Sequence, residues 1–233
     1  MITLHVCDMT SNKRPLDLNV PEVQLPPTKR ARVHQPLTQD IIRNDKAIVT
    51  YCQAFTPRSV ADEQLARLLA ETPWTEEEVV VFGKRTGAPR RVCFYGDAGV
   101  TYRYAGMRKP AAPWTPLMAE IRDAVSEQLG GRQFNYALLN LYRDGKDSIG
   151  FHSDDETNLQ PRSTIASVSL GAERDFVLKA KTKAGRAPTT LVLAHGSLLT
   201  MEGNTQKHYK HAVPPRKHVV DPRINITFRQ IRL

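Results

Sequence analysis

Beyond the glycine pair Gly130-Gly131 the sequence is cut every few residues by Gly, Pro, Asn or Asp, and the pieces between are short and rich in branched and aromatic residues. Tyr136 to Tyr142, Ser148 to His152, Ile165 to Leu170, Asp175 to Lys179, Leu191 to Leu193, Ser197 to Glu202, His211 to Val213 and Arg223 to Ile231 each have the length of a strand. Eight strands in succession hide their inward faces by folding over one another, which predicts a sandwich, jelly roll or barrel. No internal repeat of solenoid or propeller length is visible.

The region upstream is mixed. Ala61 to Thr72 carries Leu65, Leu68 and Leu69 at helical spacing, with Ser59 or Asp62 as the expected N-cap and Pro73 closing the helix. A second helix is predicted from Trp114 to Leu129, with Pro116 in its first turn, an apolar face of Leu117, Ile121, Ala124, Val125 and Leu129, and Gly130-Gly131 at its end. Between the helices, Val79 to Phe82, Arg91 to Tyr95 and Val100 to Tyr104 read as short strands joined by turns. The expected class is therefore α+β, mainly β.

No aromatic residue precedes Tyr51, and residues 1 to 36 hold five prolines and no glycine, too little apolar material for a core. Residues 1–38 are expected to be a disordered tail. Its basic clusters, Lys13-Arg14 and Lys29-Arg30-Ala31-Arg32, read as a nuclear-import signal, which implies an import receptor as partner and the nucleus as location. The longest stretch free of Asp, Glu, Lys and Arg, Ala187 to Met201, contains Pro188 and Gly196 and is too short for a membrane-spanning helix. Three scattered cysteines argue against a disulfide framework or a cysteine zinc site. The net charge of +9 makes a polyanion, nucleic acid first, the leading partner class.

In Phe151-His152-Ser153-Asp154 the imidazole and the carboxylate stand two residues apart, so an extended chain points both to one face. An imidazole and a carboxylate are two thirds of the triad that holds non-haem Fe(II) while leaving coordination positions open. With 7 His and 13 Asp in the chain, such a pair arises by chance about 0.4 times, so alone it decides little. His195, His208, His211 and His218 are all candidates for the third ligand. The last strand adds a further demand: in Arg223 to Arg229, Arg223, Asn225, Thr227 and Arg229 share one face and Ile224, Ile226 and Phe228 the other. Two arginines pointing into a barrel require an anionic guest, and a dicarboxylate held by guanidinium forks meets that need. Asn140 and Tyr142 fall on one face of their own strand and can bond the same guest.

Together, Asn140-Leu141-Tyr142-Arg143-Asp144-Gly145, His152-Ser153-Asp154-Asp155-Glu156, Ile165 to Gly171, His195-Gly196-Ser197-Leu198-Leu199 and Arg223 to Arg229 resemble the AlkB family of Fe(II)- and 2-oxoglutarate-dependent dioxygenases, over about Phe82 to Leu233. The branch most resembled is the eukaryotic one that repairs alkylated DNA. The resemblance implies a double-stranded β-helix (jelly-roll) core over residues 116–233, preceded by an N-terminal helix and a nucleotide-recognition hairpin lid over residues 39–115. It implies that His152, Asp154 and His211 bind the catalytic Fe(II). Arg223 would pair with the distal carboxylate of 2-oxoglutarate, with Asn140, Tyr142, Asn225, Thr227 and Arg229 supporting that site or the adjoining one. His195 resembles a His-Gly turn of the family and is set apart from the metal.

The implied activity is oxidative demethylation of 1-methyladenine or 3-methylcytosine in DNA, duplex DNA being the expected form. Molecular oxygen is consumed, succinate, CO2 and formaldehyde are released, and ascorbate is an accessory reductant. A methyl on the Watson–Crick edge is reachable only after base flipping. Phe82 is placed like the wedge that fills the vacated stack, Tyr104 and His152 would sandwich the flipped base, and Tyr102 and Glu156, with Asp155 beside them, would face its polar edge. Arg216 and Lys217, after Pro214-Pro215, are the expected phosphate contacts, and Lys179, Lys181, Lys183 and Arg186 form a second basic stretch. A monomer is expected. The competing readings are an RNA demethylase of the same chemistry and a catalytically dead nucleic-acid-binding member of the fold.

Overall fold

The computed structural model of the chain describes residues 38–81, 84–104, 107–182 and 187–232. The basic tail, Phe82, and Lys183 to Arg186 lie outside the described residues, as do the side chains of Tyr102 and Tyr104. In chain order the elements are β1 (Thr38–Arg43), β2 (Ile48–Cys52), α1 (Arg58–Glu71), β3 (Thr75–Val81), β4 (Lys84–Gly96), β5 (Thr101–Tyr104), β6 (Met107–Pro110), α2 (Pro116–Gln128) and β7 (Tyr136–Tyr142). They continue with β8 (Ile149–His152), β9 (Ile165–Gly171), β10 (Arg174–Ala180), β11 (Thr189–Leu193), β12 (Ser197–Glu202), α3 (Thr205–His208), β13 (Tyr209–Val213) and β14 (Arg223–Arg229).

Eight strands form one sheet in the order β1-β2-β12-β9-β14-β7-β4-β3, four form a second in the order β11-β10-β13-β8, and β5-β6 is a separate hairpin. Every paired strand is antiparallel to its neighbour, the arrangement of a jelly roll. Residues 39–52 and 75–96 extend the large sheet on both sides of the strands that follow residue 116.

The central strand β14 shows how the sequence alternation becomes layers. Ile224, Ile226 and Phe228 are fully buried in a core shared with Leu117, Met118, Ile121 and Val125 of α2 and with Ala61 and Leu68 of α1, so the helices cover that face. Arg223, Asn225, Thr227 and Arg229 point the other way, into a cavity whose wall includes Phe176 from β10 and His211 from β13 of the small sheet. A second apolar cluster, which includes Tyr142, Phe176, Leu178, Leu193 and Met201, joins the two sheets around that cavity.

Two expectations for the helices are corrected. Helix α1 begins at Arg58 with Pro57 in the N-cap position and no side-chain cap, so Ser59 and Asp62 lie within its first turns instead of before it. In α2 Thr115 caps the N-terminus by accepting from the Met118 amide, and the buried stripe runs through Met118, Ile121 and Val125. Ala124 is exposed, because that stripe leans away from the Leu117 edge after one turn. Gly130 and Gly131 end the helix at φ +70° and +82°, a region that favours glycine. Gly171, at φ +92°, ends β9 where any Cβ would strike the carbonyl oxygen of Pro222, so only glycine lets the loop before β14 close onto the sheet.

Candidate active site

His152, at the end of β8, and His211, on β13, are register partners across the small sheet, and their rings lie 4.2 Å apart between centroids. Asp154 follows His152 by two residues. The three side chains offer ligand atoms all within 4.8 Å of one another, with His152 Nε2 3.4 Å and His211 Nε2 3.8 Å from Asp154 Oδ1. His152 Nδ1 lies 2.9 Å from the Gly150 carbonyl, which suits a protonated Nδ1 and leaves Nε2 free to ligate. The ring of Phe176 stacks on His211 at 5.2 Å, and the Ser153 hydroxyl donates to the Tyr209 carbonyl, tying β8's exit to β13.

The electrostatics separate the ligands. Burial pushes the His211 pKa down to about 3, so its imidazole is neutral and its lone pair available at any working pH. For His152 burial acts in the same downward direction, but the hydrogen bond and charge of Asp154 outweigh it and hold its pKa above the usual value. Asp154 is buried, which alone would raise its pKa; the charge of Arg229 and the contact with His152 instead hold it well below the carboxylate range. The Arg229 Nη2 donates to Asp154 Oδ2 at 2.7 Å, leaving Oδ1 toward the histidines.

Next to this cluster is a cavity whose lining includes Asn140, Tyr142, Glu156, Arg223, Asn225, Thr227 and Arg229. Arg223 is 1% exposed, and its Nη2 donates to Ser169 Oγ at 2.8 Å while Nε and Nη1 have no partner among the described residues. Burial lowers its pKa to about 10, still charged at neutral pH. A buried guanidinium with two unanswered N–H edges over a cavity is a receptor for a carboxylate. The Asn225 amide nitrogen donates to Ser167 Oγ and to the Val168 carbonyl, and Thr227 donates to Asn225 Oδ1, so β9 holds the inward polar row of β14 in place.

Residues 48–229 match the profile of the 2OG-Fe(II) oxygenase superfamily. The chain belongs to that superfamily. Its AlkB resemblance is borne out by similarity to the DNA oxidative demethylase ALKBH2 of Homo sapiens, 49% identical over 161 residues, covering 66% of this chain and 61% of that protein. It is also similar to the alpha-ketoglutarate-dependent dioxygenase alkB homolog 3 of Bos taurus, 36% identical over 190 residues, covering 78% of this chain and 66% of that one. The chain thus spans less than two thirds of the length of these curated relatives. A solved structure of OsALKBH1 shares the fold at TM-score 0.50 and 18% identity, over 78% of this chain and 97% of that one. As a member of the 2OG-Fe(II) oxygenase superfamily, the chain has residues that fit both groups: an imidazole pair with a carboxylate for Fe(II), and the partnerless edges of Arg223 for 2-oxoglutarate.

The other expected residues are distributed unevenly. Glu156 lines the cavity, whereas Asp155 is exposed and pairs with Lys181 at 3.3 Å. Tyr102 and Tyr104 are carried by β5. Arg216 and Lys217 lie in the loop between β13 and β14, where Lys217 is exposed and half-buried Arg216 donates to the Glu173 carbonyl at 3.4 Å. His195 stands apart, as expected: its Nδ1 accepts from the Gly171 amide and its Nε2 faces Asp62. Sequence reading missed two buried arginines. Arg90 donates to Asn140 Oδ1, orienting that amide at the cavity wall. Arg174, 1% exposed, donates to the carbonyls of Asp144, Asp147 and Pro214 and lies 5.5 Å from the Tyr142 ring. Its signal was present: Arg174 has the parity of the inward residues Phe176 and Leu178.

Proposed function

We propose that the chain is an Fe(II)- and 2-oxoglutarate-dependent oxidative demethylase of DNA bases alkylated on the Watson–Crick edge. The observation that carries this reading is the placement of an oxygenase-type triad and a carboxylate-seeking buried arginine in one cavity, in a chain similar to proteins named as DNA oxidative demethylases. With O2, Fe(II) and 2-oxoglutarate supply the power to hydroxylate an N-methyl group, giving succinate and CO2 and a hydroxymethyl base that releases formaldehyde.

The chain's own residues do the rest. His152, Asp154 and His211 would hold the metal, and Arg229 fixes the Asp154 carboxylate through Oδ2, leaving Oδ1 toward the two histidines. Arg223 would take the distal carboxylate of 2-oxoglutarate, and Tyr142, whose ring lies 5.2 Å from the Arg223 guanidinium carbon, lines the same cavity. Glu156 offers a carboxylate to the exocyclic amine of a flipped base, with Tyr102 and Tyr104 on β5 as the remaining base contacts and Phe82 as the wedge. The lesion itself lowers the cost of flipping, since it already blocks pairing. Duplex DNA is the proposed form, the net charge of +9 supplies affinity for its phosphates, and the basic clusters of the tail direct the protein to the nucleus.

The test is anaerobic loading with Fe(II) and 2-oxoglutarate, then air and an oligonucleotide bearing 1-methyladenine or 3-methylcytosine, single-stranded and duplex in parallel, with methyl loss scored by mass. Loss by the wild type and none by His152→Ala supports the reading. Succinate formation with no methyl loss from either lesion rejects it.

A further inference from the structure

On β8 the parity that turns His152 inward turns Phe151 outward, and Phe151 is 47% exposed, an aromatic ring in solvent one residue from a metal ligand. β8 is also the last strand of the small sheet. The ring has a cation beside it: Lys179 Nζ stands 5.8 Å from its centroid, reaching across β13 from β10. Lys179 is the register partner of Lys210, and His211 is the partner of His152, so Lys210 lies on the strand between Lys179 and β8. Lys179, Lys210 and Phe151 are all exposed. The nearby carboxylate of Asp155 is already engaged by Lys181, and Asp175 lies toward the far end of β10.

An exposed aromatic flanked by lysines on a sheet face is the chemistry of single-strand recognition. Every base has a face that stacks on such a ring, and ammonium groups beside it take the phosphates of the same strand. The apolar contribution of Phe151 and the charge of Lys179 and Lys210, which make no ion pair among the described residues, select against a neutral or basic protein surface. We propose that this outer face of the small sheet is a docking platform for single-stranded DNA, with an unpaired base stacked on Phe151 and its phosphates on Lys179 and Lys210. The inference rests on the proposed DNA substrate and adds a single-stranded form to the duplex one. A single strand that delivers its methylated base to His152 is held, at a neighbouring unpaired nucleotide, by the residue that precedes that histidine in the chain.

The experiment uses the full chain loaded with Fe(II) and 2-oxoglutarate under anaerobic conditions, and single-stranded DNA carrying 1-methyladenine with the fluorescent base 2-aminopurine at each flanking position in turn. The wild type quenches one flanking position well beyond the others. Phe151→Leu, which keeps apolar volume without a π face, abolishes that quench and weakens binding about tenfold, while Phe151→Trp retains both. Lys179→Ala lowers the slope of log affinity against log salt by about 0.7, one phosphate contact on a single strand. Val60→Ala, which removes an exposed apolar side chain from α1, changes neither. Quenching and affinity in Phe151→Leu equal to wild type overturn the platform, as does tighter binding of an RNA of the same sequence that keeps its quench in Phe151→Leu. Admitting air then tests the activity separately: position-specific quenching with no methyl loss supports the platform and rejects the demethylase, and methyl loss with no Phe151-dependent quench does the reverse.

Discussion

Two inward arginines on one strand have different tasks, and the difference is set by what each already touches. Arg229 is committed to Asp154 Oδ2, so it acts on the metal through a ligand. Arg223 donates to Ser169, and its Nε and Nη1 have no partner among the described residues, so it acts on the guest. Arg229→Gln is expected to weaken metal affinity by about 10- to 100-fold, as loss of a group that orients a ligand does, measured by titration with Co(II) as an optical probe. Arg223→Lys should retain the metal and raise the KM for 2-oxoglutarate at least about tenfold, because an ammonium cannot give the paired N–H edges of a guanidinium. Unchanged KM in that variant would move the dicarboxylate away from Arg223. The two histidines make a further contrast: with His211 held neutral and His152 held above its ordinary pKa, metal affinity should fall as pH is lowered through the His152 titration, since each ion bound must displace that proton.

At the scale of elements, β7 and β14 were legible because each carries an unbroken apolar row on one face between turn residues, and the inward polar row of β14 was legible from its alternation alone. β1 and β2 were not: Thr38-Gln39-Asp40 is polar and exposed, and β2 joins β1 to the large sheet by pairing with β12, a contact far along the chain. Among site residues, Ser167 and Ser169 escaped notice because they sit in an otherwise apolar strand, and their role appears only when β14 is laid beside β9. The turn between β7 and β8 shows an element held by charge. Buried Asp147 accepts from the Arg143 amide, Nε and Nη2 at 2.8–2.9 Å. Burial would raise its pKa, but these bonds and the Arg143 charge lower it below the free-chain value. With the folded pKa depressed, the stabilisation is complete above the unfolded pKa of 3.8 and is lost as pH falls through the folded value. Asp147→Asn should therefore cost about 1–3 kcal/mol at neutral pH and much less in strong acid, a convergence that urea unfolding at several pH values would reveal.

For the whole molecule, Arg174 joins parts that the sequence keeps far apart. From β10 of the small sheet it donates to the Asp144 and Asp147 carbonyls in the turn between β7 and β8 and to the Pro214 carbonyl after β13, and its guanidinium lies near the Tyr142 ring of the large sheet. Arg223 lies 5.2 Å from that same ring, so two buried cations share one aromatic neighbour, and the charge of Arg174 depresses the pKa of Arg223 further after burial has done so. An anion bound at Arg223 in the cavity between the sheets would offset that repulsion. Arg174→Met removes the carbonyl clamp and should destabilise the protein by about 3 kcal/mol, lowering Tm by roughly 10 °C in a chain of this size. The same change removes a repelling charge from Arg223. Added 2-oxoglutarate should raise the Tm of wild type through its binding free energy, and the argument from charge requires a smaller rise in Arg174→Met, because one of the two cations that favour the dianion is gone. Thermal scans of both proteins with 2-oxoglutarate, and with succinate as a dianion of similar shape, measure this directly. An equal rise in the two proteins would leave Arg174 a structural clamp without influence on the cosubstrate.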